Sequence, residues 1–151
     1  MKLVIGSDHA GFELKEKLKK FLLGLSHDVT DFGCASPDPV DYPDVALLVG
    51  EAVAGRQFDR GVLLDGFGGA VALVANKIPR VRAVCAYDAL SARFAAAHED
   101  ANVLCLGGKT LGELTAQELL RIWLETAFEG GRHDRRLAKL NAIEKNFLKV
   151  P

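Results

Sequence analysis

The chain predicts a single-domain α/β fold, a three-layer α/β/α sandwich with a five-stranded parallel sheet and an extra C-terminal helix. Three observations lead there. Five short apolar or β-branched runs alternate with stretches of helical period, the pattern of strand–helix units that build a parallel sheet. The 151 residues fit one domain large enough to bury a core without staples. A last amphipathic stretch follows the fifth unit with no strand left to cover.

Lys2–Gly6 is the first strand, and Gly11–Leu25 follows as a helix with Phe12, Leu14, Leu18, Phe21, Leu22 and Leu25 on one stripe. Asp28–Phe32 is the second strand. Asp41-Tyr42-Pro43 opens a helix over Pro43–Ala54, with proline in the first turn. Gly61–Leu64, Ala83–Ala86 and Val103–Leu106 read as strands of the fully buried type. Ala70–Lys77, Ala89–Ala97 and Glu113–Ala127 are the intervening and following helices. Residues 132–147 form the extra helix, whose stripe of Leu137, Leu140, Ile143 and Phe147 must bury on its own sheet or on a neighbouring subunit. The whole is a Rossmann-like arrangement, and such sheets bind ligands beyond the C-terminal ends of their strands.

Nineteen basic and twenty acidic residues leave a formal net charge of −1, so no nucleic-acid or anionic-membrane footprint is expected. No apolar run approaches the roughly 20 residues that cross a bilayer. Met1 leads straight into a strand without a charged and then apolar leader, so no secretory signal is expected. Cys34, Cys85 and Cys105 show no metal spacing, and the last two read as buried small hydrophobes; a reducing cytoplasm is the expected location. Basic residues gather at Arg132, Arg135, Arg136, Lys139, Lys145 and Lys149, which invites a local anionic ligand, although a solvated helix face accounts for the last two.

Residues 60–77 hold the most informative segment. An apolar run stops at Asp65, bends through Gly66-Phe67-Gly68-Gly69, and resumes at Ala70 as a small-residue helix. Such a bend points backbone N–H groups outward and favours negative charge. It matches neither a Walker loop nor a dinucleotide fingerprint. Asp8 and His9 lie where the first strand ends, suited to hydrogen bonds with a polyol or phosphate, or to capping a helix. His98, Glu99, Asp100 and Asn102 precede the fifth strand. Arg132 and Arg136, one helical turn apart, can grip one phosphate, or form a salt-bridged surface. The four histidines are scattered, none paired at i, i+4, so no metal site is expected.

Read end to end, the chain resembles the family of type B ribose-5-phosphate isomerases and galactose-6-phosphate isomerase subunits. The likeness is carried by Ile5-Gly-Ser-Asp-His-Ala-Gly-Phe12-Glu-Leu-Lys, Asp31-Phe-Gly33, Val40-Asp-Tyr-Pro-Asp44, Ala75-Asn-Lys77, Ser91-Ala-Arg93, His98-Glu-Asp-Ala-Asn102 and Glu129-Gly-Gly-Arg-His133. The resemblance implies cofactor-independent aldose–ketose isomerisation of a small phosphorylated sugar, in a homodimer or homotetramer with active sites between subunits. It implies that His98 helps open the sugar ring and that Asp8, His9 and Tyr42 contact sugar or phosphate. Arg132 and Arg136 would hold the phosphate, with Lys109 and His133 contributing across the interface. Amides of Gly66, Phe67, Gly68, Gly69 and Ala70 would stabilise the enediolate.

Five positions depart from the family pattern. Asp65 and Phe67 replace the usual thiol base and hydroxyl of the loop; Val71 stands where some members keep a glutamate; Glu99 replaces an asparagine; Lys109 replaces an arginine and loses its two-pronged fork. Helix-end amides activate a thiol but weaken a carboxylate as a base. Asp65 is therefore a tuned base or the cap of the next helix, with Glu99 as the other candidate base. An aspartate and an aromatic in this loop also resemble the A subunit of galactose-6-phosphate isomerase, which implies a hetero-oligomer with a cysteine-bearing paralogue. A third expectation is a sugar-phosphate-binding protein that has lost the reaction.

Overall fold

A computed structural model describes residues 1–147 of the chain; Lys149, the last of the basic residues noted above, lies outside them. The strands β1 (Lys2–Ser7), β2 (Asp28–Asp31), β3 (Arg60–Asp65), β4 (Ala83–Cys85) and β5 (Val103–Gly107) form one parallel sheet in the order β2-β1-β3-β5-β4. The helices are α1 (Phe12–Gly24), α2 (Tyr42–Ala54), α3 (Gly69–Ala75), α4 (Ala89–Ala97), α5 (Glu113–Glu125) and α6 (Arg132–Phe147). A short 3-10 turn, His9–Gly11, precedes α1.

Strand alternation sorts the core into two layers. Leu3, Ile5, Val62, Leu64, Leu104 and Leu106 face α1, α4 and α5, where Leu18, Leu22, Leu120 and Trp123 are fully buried. Val4, Leu63, Val103 and Cys105 face α2 and α3 across Val45, Val49, Val71 and Ala75. The five strands match the expected ones within a residue or two at each end. β4 is the exception to full burial: it pairs only with β5, so Val84 and Cys85 on this edge are half-buried. α3 stops at Ala75, short of Lys77, because the Asn76 amide turns away and brackets Ala83, its Nδ2 donating to the Ala83 carbonyl and its Oδ1 accepting from the Ala83 N–H, both at 2.8 Å. The α6 stripe is only partly covered in its own protomer: Leu137 is half-buried, whereas Leu140, Ile143 and Phe147 are exposed. No helix among the described residues is long and apolar enough to cross a membrane.

Connections leave β1 toward one edge and β3 toward the other, so the crevice between the carboxyl ends of β1 and β3 is the topological switch point where such sheets take ligands. An ion cluster fixes one wall of it. Lys15 of α1 is 0 % exposed and donates to Asp31 Oδ2 at 2.6 Å and Glu16 Oε1 at 2.9 Å; Lys19 donates to the same two oxygens. Asp31 Oδ1 accepts from Gly33 N–H at 2.8 Å, and Gly33 in turn accepts from Ser7 N–H at 2.7 Å. The carboxylate at the end of β2 thus holds the segment beside Ser7 and Asp8.

Burial pushes the Asp31 carboxyl up, but the bonds from Lys15, Lys19 and Gly33 outweigh it and hold it below its ordinary 3.8. Because the folded state binds this proton less readily than the unfolded one, its contribution is complete above about pH 4 and fades as pH falls below 3.8. Urea unfolding from pH 7 to pH 3 should show that loss, and Asp31→Asn should flatten it. Asp31→Ala leaves the buried Lys15 with Glu16 as its one carboxylate partner and should cost about 3 kcal/mol at pH 7. Parallel pH profiles for wild type and Asp31→Asn would contradict this reading.

Candidate functional site

At the carboxyl end of the sheet, three loops converge. After β1, Asp8 is buried and its Oδ1 accepts from Ala10 N–H (2.9 Å) and Gly11 N–H (3.1 Å), capping the 3-10 turn. His9 is exposed, with Nδ1 accepting from Val40 N–H at 3.2 Å, which ties it to the segment leading into Tyr42, the exposed first residue of α2. After β5, Lys109 N–H donates to Gly66 O at 2.9 Å, and the stem of Lys109 and the methyl of Ala10 border Gly66. Asp8, His9, Tyr42, the 66–70 loop and Lys109 therefore share one end of one protomer.

Asp65 is 2 % exposed and lies beneath the loop it begins. Its Oδ1 accepts from the Phe67 and Gly68 N–H groups and its Oδ2 from Val71 N–H at 2.9 Å. Both oxygens are spent on backbone donors of the bend and of the first turn of α3, the geometry of a helix cap. Gly69 and Ala70, the first two residues of α3, keep amides that no described backbone or side-chain acceptor takes. Gly68 has φ +90° and packs so closely on Cys85 Sγ and Leu106 that no side chain fits. The half-exposed Phe67 ring folds back over Gly69 and leaves no room for a Cβ there. Cys85, expected to be buried core, instead supports the loop from behind, its thiol 3.5 Å from the Phe67 carbonyl. Burial pushes that thiol up, and its hydrogen bond with Tyr87 helps to push the phenol up to about 12.

The remaining expected residues gather at the opposite, amino end. α4 runs back down the sheet, so His98 at its C-terminus lies just before β5 begins. The His98 ring is sandwiched between Phe94, 4.0 Å away at 18°, and His133, 4.2 Å away at 13°. Glu129 N–H donates to Ala97 O at 2.9 Å, and Gly130 and Gly131, at φ +64° and +58°, swing the chain into α6. Those two left-handed residues bring His133 onto His98. Glu129 Oε2 lies 3.7 Å from His98 Nε2 and 3.8 Å from His133 Nε2. His133 is 3 % exposed and its Nε2 has no hydrogen-bond partner. Burial lowers its pKa from 6.5, with His98, Arg132 and Arg136 adding to that and Glu129 opposing it. Arg132 and Arg136 are exposed on α6 on either side of it, and Glu99 is exposed beside His98.

His98, Glu129 and His133 place ligand atoms within 4.8 Å of one another, a grouping that spacing along the chain hides. The near-parallel imidazole planes send their in-plane lone pairs side by side rather than toward a common ion, which disfavours a metal cage in this arrangement. Glu129 and Phe94 were the members of this cluster without an expected role; Phe94, one helical turn before His98, could have been found by that spacing, whereas Glu129 lies before α6 across the two left-handed glycines.

Asp65 and His98 do not meet within the protomer. The strands between them rise about 3.3 Å per residue, which puts the two ends roughly 15–20 Å apart. Lys109 falls on the loop's end, whereas His133 falls with Arg132, Arg136 and His98.

The comparisons with known proteins agree with one another. The family model described as Ribose/Galactose Isomerase matches residues 3–140. The chain is 38% identical over 144 residues to ribose-5-phosphate isomerase B of Escherichia coli, covering 95% of this chain and 97% of the relative. Among solved structures it is similar to Clostridium thermocellum ribose-5-phosphate isomerase B, with TM-score 0.96 and 41% identity over 97% of this chain and 99% of that one. It is also similar to the Mycoplasma genitalium ribose-5-phosphate isomerase B with bound ribulose-5-phosphate, at TM-score 0.91 and 35% identity over 95% and 96% of the two chains. With the fold and the relatives in agreement along nearly its whole length, the chain belongs to the ribose/galactose isomerase family.

Proposed function

We propose that the protein is a cytoplasmic, cofactor-independent aldose–ketose isomerase of a phosphorylated pentose, ribose 5-phosphate being the substrate its relatives point to. Its active site is built from the carboxyl end of one protomer and the amino end of another. The observation that carries this reading is the separation of the loop residues from His98, Glu99, Arg132 and Arg136 by the height of the sheet. A second copy, seated on the exposed α6 stripe, brings the two halves together.

In this site Arg132 and Arg136 clamp the phosphate, with Lys109 and His133 beside it. Asp8, His9 and Tyr42 contact the sugar. His98 takes the proton from the anomeric hydroxyl and returns one to the ring oxygen, freeing the aldehyde. The base then moves a proton from C2 to C1, and the hydroxyl proton at O2 passes to O1. The Gly69 and Ala70 amides face the negative charge that the enediolate carries between these steps. Both Asp65 oxygens are occupied, whereas the Glu99 carboxylate has no ion-pair or hydrogen-bond partner among the described residues and sits next to His98. We assign the C2–C1 proton transfer to Glu99 and the shape of the loop to Asp65.

The same occupied Asp65 favours a second reading, an A-type subunit completed by a cysteine-bearing paralogue. The chain alone decides between them. Incubated in heavy water with ribose 5-phosphate, it should place deuterium at C1 of the ketose product and at C2 of the aldose; no exchange with any pentose or hexose phosphate would overturn the first reading.

Glu99→Gln should lower that exchange by about 100-fold or more. Asp65→Asn should cost about 1–2 kcal/mol of stability through its lost cap while keeping exchange within several-fold at a temperature where it is folded. The reverse outcome, a stable Asp65→Asn without exchange, would make Asp65 the base. His98→Asn should stop conversion of the cyclic aldose phosphate yet leave solvent exchange into ribulose 5-phosphate, which has no furanose to open. Equal loss of both would contradict a ring-opening role.

A further inference from the structure

A separate cavity of about 440 Å³ opens at the amino end of the sheet, beside the C-terminus of α2 and the turn before β4. Arg56, Arg80, Arg82, Asp59, Asn102 and Phe58 line it. Its most telling feature is the backbone beneath two of the arginines. Arg56 follows the last turn of α2 with φ +59°, in a closing pattern where Arg56 N–H donates to Val53 O and Gln57 N–H to Ala52 O, both at 3.0 Å. In helices that close this way, that position is usually glycine. Arg80, with φ +71°, is the third residue of the turn Ile78-Pro79-Arg80-Val81, closed by Val81 N–H donating to Ile78 O at 3.1 Å. Proline second and a left-handed third residue make a turn that also asks for glycine.

Among the described residues four non-glycines have positive φ: Ser26, Arg56, Arg80 and Asp100. Asp100 is of the short polar kind that visits this region readily, and serine is at least small. The two arginines have no such compensation, and both line the same cavity. The turn carrying Arg80 is held from both sides, its N–H donating to Glu144 Oε2 at 2.9 Å and its carbonyl accepting from Asn102 Nδ2 at 2.8 Å.

The charges in the cavity do not cancel. Arg82 is engaged, donating to Asp100 Oδ2 at 2.7 Å and to the Glu99 and Asp100 carbonyls. Asp59, the acid in the lining, accepts from Lys2 N–H at 2.7 Å. The Arg56 and Arg80 guanidinium groups make no ion pair with any described residue. Each presents a planar fork that fits one phosphoryl group. The volume suits a small metabolite, since ligand pockets run from about 300 to 1,000 Å³.

We propose that this cavity binds a small anion carrying two phosphoryl groups, one for each of Arg56 and Arg80, at a site separate from the sugar-phosphate site. The glycine-like turns have been given to arginine because the charge is used there. Isothermal titration of the full-length protein with pyrophosphate, at about 0.1 M salt to limit non-specific attraction, tests this without reference to turnover. The expected result is saturable binding of one pyrophosphate per protomer. Arg56→Gly/Arg80→Gly should weaken it at least tenfold, and each single variant should weaken it severalfold. Glycine suits both turns, so the thermal midpoint of these variants should stay level or rise, and Arg80→Asn serves as a second substitution compatible with its turn. Saturating ribose 5-phosphate should leave the binding in place. No saturable binding up to millimolar pyrophosphate, equal affinity in the double variant, or displacement by ribose 5-phosphate would each overturn the proposal.

Discussion

The polarity of the sheet is the constraint on which the rest depends. All five strands run in one direction, so every strand-to-helix loop opens at one end and every helix-to-strand connection at the other. Asp8, Asp65 and Lys109 are bound to the first end, and His98, Glu129 and Arg132 to the second. No loop movement of ordinary size closes that distance. On the proposed function the protomer carries two half-sites, and the separation set by the topology is the ground for proposing a site shared between copies. The exposed Leu140, Ile143 and Phe147 on α6 are the apolar surface on which the proposed second copy would sit.

Within that frame, residue 65 carries a division of labour. A carboxylate at the mouth of the loop satisfies three backbone donors and so fixes the bend, the left-handed Gly68 and the first turn of α3. The same bonds take its lone pairs away from any substrate. Phe67 adds to this rigidity by lying on Gly69, and Cys85 props the loop from below. A loop so firmly held is suited to presenting amides and poorly suited to moving protons, which is the ground for proposing that a side chain from the other end transfers the proton.

Much of this was legible in the residues. The strands announced themselves because buried parallel strands are short apolar runs, and the helices because their apolar residues recur at helical spacing. Lys15 was not legible: a lysine one position beside the apolar stripe reads as solvated, and only the nearby Asp31, Lys19 and Glu16 make its burial tenable. Among the site residues, the loop at 65–70 and the Gly130–Gly131 turn declared themselves by glycines that left-handed backbone requires. The choice between base and cap at Asp65 was open, because a carboxylate before a helix serves either purpose until its oxygens are located. The stack of Phe94, His98 and His133 was hidden because it joins two helices through a reversal of the chain.

The shared site is tested most directly by complementation between two disabled variants. One, His9→Ala/Lys109→Ala, damages the carboxyl-end half; the other, His98→Asn/Arg136→Ala, damages the amino-end half. Each is prepared alone, then both are mixed in equal amounts, dissociated and reassembled. Half of randomly formed pairs combine one of each, and each such pair regains one intact site of two, so about a quarter of wild-type isomerisation should return. A mixture no more active than its two components would contradict the claim that the halves come from different protomers.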